Sequence, residues 1–209
     1  MEVEALVARA AALAAGGRAI LGIAGAPGAG KSTLAAAVVA GVAARGIRSS
    51  LLPMDGFHLA DVELERVGRL DRKGAIDTFD GWGYLATLRR ALAEPGHTVY
   101  APGFERTLEQ PIAGAVGIDS EVELVVTEGN YLLMDAEPWS LVPSVLAETW
   151  FVDVPDAVRQ ARLVARHVEF GKSPEAAAAW VRDVDEANAR AIIARRGAAD
   201  LVVGSAAGA

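Results

Sequence analysis

The sequence contains no cysteine, only three histidines, and an excess of acidic over basic side chains. Without cysteine the chain can form neither a disulfide framework nor a cysteine-ligated zinc site. Its formal net charge of −7 argues against a general surface for nucleic acid. No apolar run approaches about 18 residues, and no basic segment precedes an apolar core at the N-terminus. We therefore expect a soluble, cytoplasmic protein that binds neither nucleic acid nor membrane.

The 209 residues are 52% hydrophobic and 22% charged, which is typical of a globular chain that can bury a sizeable core. Apolar stretches alternate with helical patterns, and this alternation predicts an α/β domain with a mostly parallel sheet. Strands are predicted at 18–24, 47–54, 97–100, 121–127, 149–154 and 200–203. Helices are predicted at 3–15, 31–45, 83–94, 155–170 and 173–196, with an irregular segment at 55–80 and a short tail at 204–209.

A glycine-rich run follows the first predicted strand and opens the second predicted helix. It reads Gly25, Ala26, Pro27, Gly28, Ala29, Gly30, Lys31, Ser32, Thr33, and so fits the P-loop pattern G-x-x-x-x-G-K-[ST] in its required context. Backbone N–H groups of such a loop cradle phosphates at the helix N-terminus, the lysine reaches the β/γ-phosphates and the serine hydroxyl can ligate Mg²⁺. An ordinary Gly-rich turn would require neither lysine nor a hydroxyl there. We therefore expect a nucleoside triphosphate site on a three-layer P-loop NTPase fold.

Two carboxylates stand where predicted strands end, Asp55 after the second and Glu128 after the Val-rich strand. Ligands of open α/β sheets sit beyond the carboxyl ends of the strands, so both are expected beside the P-loop. A carboxylate there can hold Mg²⁺ or accept a proton from a hydroxyl. The alternatives are that Asp55 only caps a helix and that Glu128 is a solvated loop residue.

Basic side chains form the next candidate set. Arg159, Arg162 and Arg166 are spaced to share one face of a predicted helix, where they can stabilise charge on a transferring phosphoryl group or form a solvated face. Of these, Arg162 and Arg166 are the better candidates. Single basic groups in irregular segments can contact substrate or carry surface charge: His58, Arg72, Lys73 and Arg106. The large aromatic residues Trp82, Tyr84, Trp139, Trp150 and Trp180 are expected to pack in the interior.

In this order the motifs resemble the P-loop kinase family of uridine kinases, phosphoribulokinases and bacterial pantothenate kinases. The chain is most similar to its short nucleoside/nucleotide kinase-like members, described as sugar or fructose-transport kinases. Besides the P-loop, the matching pieces span almost the whole chain: Met54 to Phe57, Arg72 to Gly74, Thr78 to Asp80, Tyr100 to Arg106, Val126 to Asn130, Phe151 to Asp153 and Ala199 to Val202.

The resemblance implies a role for each matching position. Asp55 is similar to the catalytic carboxylate, and Ser32 and Glu128 to the Mg²⁺ partners, Glu128 through water. Arg162 resembles the lid arginine, with a lid at about 159–175, and Arg196 would lie beside the adenine. An acceptor-binding insert is implied at about 56–115. Acceptor-side positions are matched by Lys73, Asp80, Tyr100, Arg106 and Asn188, and His58 is a further substrate candidate.

The sequence departs from uridine kinases where those enzymes grip the nucleoside. Arg72-Lys73-Gly74 replaces an aspartate-rich segment, and the stretch from Ala101 to Arg106 contains no histidine. The expected function is therefore an ATP- and Mg²⁺-dependent kinase for an alcohol of a small metabolite, with sugar, pantothenate-like and nucleoside acceptors all open. Uridine kinase relatives commonly associate, so the resemblance allows a homodimer.

Two other classes share the nucleotide site. A regulatory GTPase would use D-x-x-G, which Asp71 to Gly74 matches, but no predicted strand precedes it and no N-K-x-D sequence occurs. An ATP-binding accessory protein would have the same P-loop with its acceptor pocket absent or filled.

Overall fold

A five-stranded parallel sheet forms the centre of the computed structural model, which describes residues 2–204. Its strands span Ala19–Gly25 (β1), Ser49–Pro53 (β2), Leu124–Gly129 (β5), Glu148–Asp153 (β6) and Leu201–Gly204 (β7). Their order in the sheet is β2-β5-β1-β6-β7. The predicted α/β class is confirmed, whereas the predicted tail beyond Gly204 lies outside the described residues.

The helices cover both faces of this sheet. They span Val3–Leu13 (α1), Lys31–Ala43 (α2), Asp61–Arg66 (α3), Gly81–Ala93 (α4), Asp156–Glu169 (α5), Pro174–Trp180 (α6) and Glu186–Ile193 (α7). Alternate residues of a strand point to opposite faces, so Leu124 and Val126 pack with α1 and α2 while Val125 packs with α4. The sheet and the helices on its two faces therefore form three layers, with one apolar core on each face of the sheet.

A second sheet of two antiparallel strands was only partly predicted. Val99–Glu105 (β3) pairs with Gln110–Ile118 (β4), and the register shifts between Ala101 and Gly103. The sequence predicts only a short strand at 97–100 and none at 110–118. The second strand was missed because Pro, Gly and Ala interrupt it and most of it is exposed, so it has no alternation of apolar and polar residues.

The predicted helix over 173–196 is divided in three. Ser173 caps α6 by accepting a hydrogen bond from the Ala176 amide. A π-helical segment, Val181–Asp185, then connects α6 to α7. A π-helix inserts an extra residue into a helical turn and rotates the side chains that follow, which hydrophobic periodicity does not reveal.

Within residues 2–204, no helix is both long enough and apolar enough to cross a membrane.

Candidate active site

The phosphate loop connects β1 to α2 and is shaped by glycine. Gly28 has φ +77°, and a Cβ there would lie 2.7 Å from the carbonyl oxygen of Arg159. This close approach leaves room for no side chain, because α5 packs directly against the loop. The fold therefore brings α5, which comes much later in the chain, to the back of the phosphate-binding segment.

Lys31 and Ser32 begin α2 with side chains directed into the site. The Lys31 ammonium donates to the carbonyl of Ala26 at 3.1 Å and to Asn130 Oδ1 at 2.7 Å. Burial lowers the pKa of Lys31, while the nearby carboxylates of Glu128 and Asp55 oppose that shift. Both partners of Lys31 are neutral oxygens, which a phosphate anion can replace as a stronger acceptor.

Glu128 lies inside β5 rather than in a solvated loop. It is paired in register with Ile23 of β1 and Pro53 of β2, so the sheet places it between the phosphate loop and Asp55. Its carboxylate accepts a 2.8 Å hydrogen bond from the Ser32 hydroxyl. Burial raises the pKa of Glu128, and the charge of Asp55 adds to this although Lys31 opposes it.

A buried hydrogen-bond chain fixes the end of β5. Thr127 donates to the carbonyl of Leu52 on β2 at 2.6 Å, so its oxygen is free to accept the Tyr84 hydroxyl proton at 2.6 Å. All three groups are fully buried. The chain joins α4, β5 and β2 directly beside Glu128 and holds that strand end in place.

Asp55 follows β2, as the sequence predicts, and lies in a short 3₁₀ turn. The next residue, Gly56, lies against the β3–β4 hairpin, where an added Cβ would be 2.2 Å from the carbonyl oxygen of Pro102. Only glycine fits there, and the contact brings the hairpin residue Arg106 within 3.7 Å of the Asp55 carboxylate. The Asp55 carboxylate is about one third exposed and faces the cleft.

The His58 ring packs against two phenylalanine rings beside Asp55, and together they form an aromatic wall. The His58 ring lies 4.0 Å from that of Phe79 and 4.9 Å from that of Phe104, centroid to centroid. Nδ1 is 2.8 Å from the Asp55 carbonyl, which can only accept, so Nδ1 carries the proton. Burial lowers the pKa of His58, partly opposed by Asp55. Neutral His58 therefore presents Nε2 as a hydrogen-bond acceptor.

These groups line one cleft of about 400 Å³. The sequence-predicted residues that it brings together are Pro27, Gly28, Lys31, Ser32, Asp55, His58, Lys73, Arg106, Glu128, Arg166 and Asn188. A smaller recess of about 190 Å³ on the outer side of the loop adds Gly30, Thr33 and Arg162. Lys73 reaches the cleft while it is held at 2.6 Å by Asp61.

Of the predicted site residues, Gly25, Ala26 and Ala29 are buried within the phosphate loop and line neither cavity, and three residues outside the loop also lie elsewhere. Tyr100 is 66% exposed, because its strand neighbour Ala101 occupies the inward position. Asp80 caps α4 by accepting a hydrogen bond from the Gly83 amide. Arg196 pairs with Asp153 at 2.6 Å beyond the end of α7.

The three arginines predicted to share one helix face differ in how deeply they are buried. Arg159 is 1% exposed and lies in the interior, so the interpretation of a solvated face is wrong for this residue. Arg162 directs its guanidinium toward the carbonyl of Gly28 at 3.5 Å. Arg166 lines both the cleft and the recess. Of the three arginines, Arg162 and Arg166 therefore line the cavities beside the phosphate loop, whereas Arg159 lines neither.

One wall of the cleft was missed by sequence reasoning. It is formed by His167, Phe170, Lys172, Trp180, Val184 and Asp185. His167 donates from Nε2 to Asp185 at 2.9 Å, and the Lys172 ammonium lies 4.6 Å from the Trp180 ring centroid. The one available signal was the position of His167, directly after Arg166 on the same helix.

The fold and the phosphate loop together define a P-loop kinase-type nucleotide site. A family model described as methylmalonyl Co-A mutase-associated GTPase MeaB matches residues 2–58, the segment that contains the loop. That match covers about a quarter of the chain, and the D-x-x-G match at Asp71 lies in a 3₁₀ turn rather than after a strand.

Relatives over most of the chain are kinase-like. The ATP-dependent kinase-like protein notR' of Aspergillus versicolor is 37% identical over 68% of this chain and 88% of its own length. A provisionally named uridine kinase of Schizosaccharomyces pombe is 31% identical over 74% and 68%. A crystal structure of a provisionally named fructose transport system kinase from Silicibacter sp. TM1040 has 38% identity and a TM-score of 0.88, covering 97% of this chain and 99% of that one. This chain belongs to that family of uridine kinase-like P-loop kinases.

Proposed function

We propose that this protein transfers the γ-phosphoryl group of ATP to an alcohol of a small polar metabolite. The observation that carries the proposal is the position of Asp55 in one cleft with Lys31, Ser32 and Glu128. The open cleft extends past Asp55 to Lys73, Arg106 and Asn188, and so leaves room for an acceptor. This room favours transfer over the accessory function, for which the pocket would be filled.

In the proposed reaction Asp55 accepts the proton of the acceptor hydroxyl as its oxygen attacks the γ-phosphorus and ADP departs. Lys31 leaves its neutral partners to bind the β/γ-phosphates. Arg162 and Arg166 on α5 lie beside the phosphate loop and balance the negative charge of the transferring phosphoryl group. In this proposal α5 and the following turn, about 159–175, act as a lid, and residues of about 56–115 bind the acceptor.

Ser32 and Glu128 are suited to hold Mg²⁺, since a hydroxyl and a carboxylate are the oxygen ligands that this ion prefers. The described residues contain no group of three or more His, Cys, Asp or Glu side chains able to hold a metal by themselves. The protein therefore offers two oxygen groups, and phosphates and water would complete the shell. When bound, the ion would supply positive charge that neutralises the phosphates during transfer.

The test is an acceptor screen in which ADP release with ATP and Mg²⁺ is measured across simple sugars, pantothenate and nucleosides. Asp55→Asn should lower acceptor-dependent turnover by about 10²- to 10⁴-fold, the usual contribution of a general base, with ATP affinity unchanged. Asp71→Asn is the matched control, because Asp71 is exposed in a 3₁₀ turn and does not line the cleft. Full turnover in Asp55→Asn, or no turnover with any acceptor, would contradict the proposal.

A further inference from the structure

Arg159 connects three segments that are far apart in the sequence. Its guanidinium donates to the carbonyl of Pro27 in the phosphate loop at 3.2 Å. It donates also to Asp156 at the start of α5 at 2.7 Å and to Glu186 at the start of α7 at 2.9 Å. One buried side chain thus joins the phosphate loop to the helix that follows the π-helical segment.

The chemistry of this junction requires arginine. Burial by itself lowers the pKa of Arg159, but its hydrogen bonds and ion pairs with Asp156 and Glu186 outweigh burial, and the net shift is upward. The side chain therefore stays charged. A guanidinium can donate in several fixed directions at once, whereas a lysine ammonium at this depth is a single point of charge.

Glu186 is adjacent to the acceptor side of the cleft. Asp185 precedes it and Asn188 is two positions later, and both of these line the cleft. Asp185 is also tied back to α5 by the 2.9 Å hydrogen bond from His167. Pro27 of the phosphate loop lines the same cleft. Two hydrogen-bonded side chains, Arg159 and Glu186, therefore connect the loop carbonyl to the segment that carries Asp185 and Asn188.

We propose that Arg159 is a positioning residue that couples nucleotide binding at the phosphate loop to the placement of the acceptor wall formed by Asp185 and Asn188. ATP would fix the position of the Pro27 carbonyl. The conformation of Arg159 that donates a hydrogen bond to this carbonyl also holds Glu186, and with it the start of α7. By linkage, an acceptor held by that wall then raises the affinity for ATP by the same factor. The effect of ATP on the start of α7 does not depend on the proposed function, whereas the effect of an acceptor on ATP affinity rests on it.

Hydrogen exchange of the whole protein tests the coupling with a non-hydrolysable ATP analogue and Mg²⁺ as the probe. In the wild type the analogue should slow amide exchange both in 25–33 and in 181–193, the latter by about fivefold or more, the lower end of usual coupling factors. In Glu186→Gln and Arg159→Lys the protection of 25–33 should persist while that of 181–193 is lost. Glu186→Gln keeps the side-chain shape and serves if Arg159→Lys does not fold.

Asp183→Asn is the matched control, since it breaks an exposed ion pair with Arg182 in the same π-helical segment. It should retain the wild-type response. The coupling is overturned if the analogue protects 25–33 alone in the wild type, if both junction variants keep the response, or if Asp183→Asn loses it equally. Absence of protection at 25–33 in the wild type would instead overturn nucleotide binding and the proposed function.

With an acceptor from the screen, a second measurement separates positioning from plain stability. Saturating ATP should lower the wild-type KM for the acceptor, and Glu186→Gln should lose this effect of ATP while its affinity for ATP in the absence of acceptor changes little. If the affinities for ATP and for the acceptor weaken equally while ATP still lowers the KM for the acceptor as in the wild type, Arg159 and Glu186 have a purely structural role.

Discussion

The Ser32 hydroxyl donates a 2.8 Å hydrogen bond to the Glu128 carboxylate and so joins the start of α2 to the end of β5. The two residues are 96 positions apart in the sequence. They meet because β1 and β5 are parallel neighbours whose carboxyl ends lie at the same edge. The pairing keeps a buried carboxylate beside the phosphate loop, and this has a measurable energetic consequence.

Glu128→Gln should stabilise the protein in Mg²⁺-free buffer at pH 8. Burial raises the pKa of Glu128, so the folded state binds its proton more tightly than the unfolded state does. That contribution favours folding below the unfolded value near 4.5 and is lost as pH rises through the folded pKa. A neutral amide avoids the loss, so the Tm of Glu128→Gln should exceed that of the wild type at pH 8, and the two should converge as the pH approaches 4.5.

Thermal melts followed by circular dichroism between pH 5 and 8 measure this difference. Glu65→Gln on the exposed side of α3 is the control and should follow the wild-type curve. The same Glu128→Gln protein should lose Mg²⁺-dependent transfer, the usual trade of stability for activity at a site. A Tm at or below that of the wild type at pH 8 would contradict the prediction.

Gly28→Ala should abolish nucleotide binding and destabilise the fold, whereas Gly46→Ala should only destabilise it. Both glycines have positive φ, +77° and +81°, so each substitution carries backbone strain of about 1–3 kcal/mol. At Gly46 an added Cβ meets nothing within 4 Å, but at Gly28 it lies 2.7 Å from the Arg159 carbonyl oxygen. Urea unfolding and calorimetric titration with ATP analogue separate the two effects. Nucleotide binding retained in Gly28→Ala would argue against tight packing of α5 on the loop.

His58→Gln should reduce the loss of stability on acidification. Burial lowers the pKa of His58 below its ordinary 6.5, so the unfolded state binds the proton more tightly. The free energy of unfolding therefore decreases as pH falls through 6.5 toward the folded pKa, by at most about 1.4 kcal/mol for each step of one in pH. Denaturant midpoints at pH 7.5 and 5.5 measure the loss. His97→Gln, at an exposed histidine beside Glu94, should keep the wild-type dependence, and an unchanged dependence in His58→Gln would count against this account.

Trp180→Ala should raise the KM for the acceptor by about tenfold, equivalent to about 1.4 kcal/mol, with little change in the KM for ATP. Trp180 lines the cleft, and we expect its ring to contact the acceptor; its loss removes that aromatic surface and the ring over which Lys172 lies. Trp82→Ala is the control, since Trp82 is 56% exposed on α4. Steady-state kinetics with an acceptor from the screen decide the matter. A larger effect on ATP than on the acceptor would place Trp180 on the nucleotide side instead.

Local sequence identified the phosphate-loop side of the cleft more completely than the wall that contains Trp180. The phosphate loop is one continuous segment, and Asp55 and Glu128 each follow directly from an apolar strand. The wall that contains His167, Trp180 and Asp185 combines residues from α5, α6 and the π-helical segment, which no local pattern brings together. Trp82 and Trp180 were both expected in the interior, yet one is exposed and the other lines the cleft, since side-chain type alone does not fix which face of a helix is covered.

By itself, the sequence determined an α/β sheet, a phosphate loop between β1 and α2, and carboxylates at two strand ends, because these depend on periodicity and on backbone conformations that few residues allow. Tertiary structure alone decided that Arg159 is buried while Arg162 and Arg166 face the site. It also decided that Tyr100 points to solvent and that His167 meets Asp185 across 18 residues. The physical reason is that burial and contact depend on which surfaces meet, and that is settled only when the hairpin and the last three helices pack against the sheet.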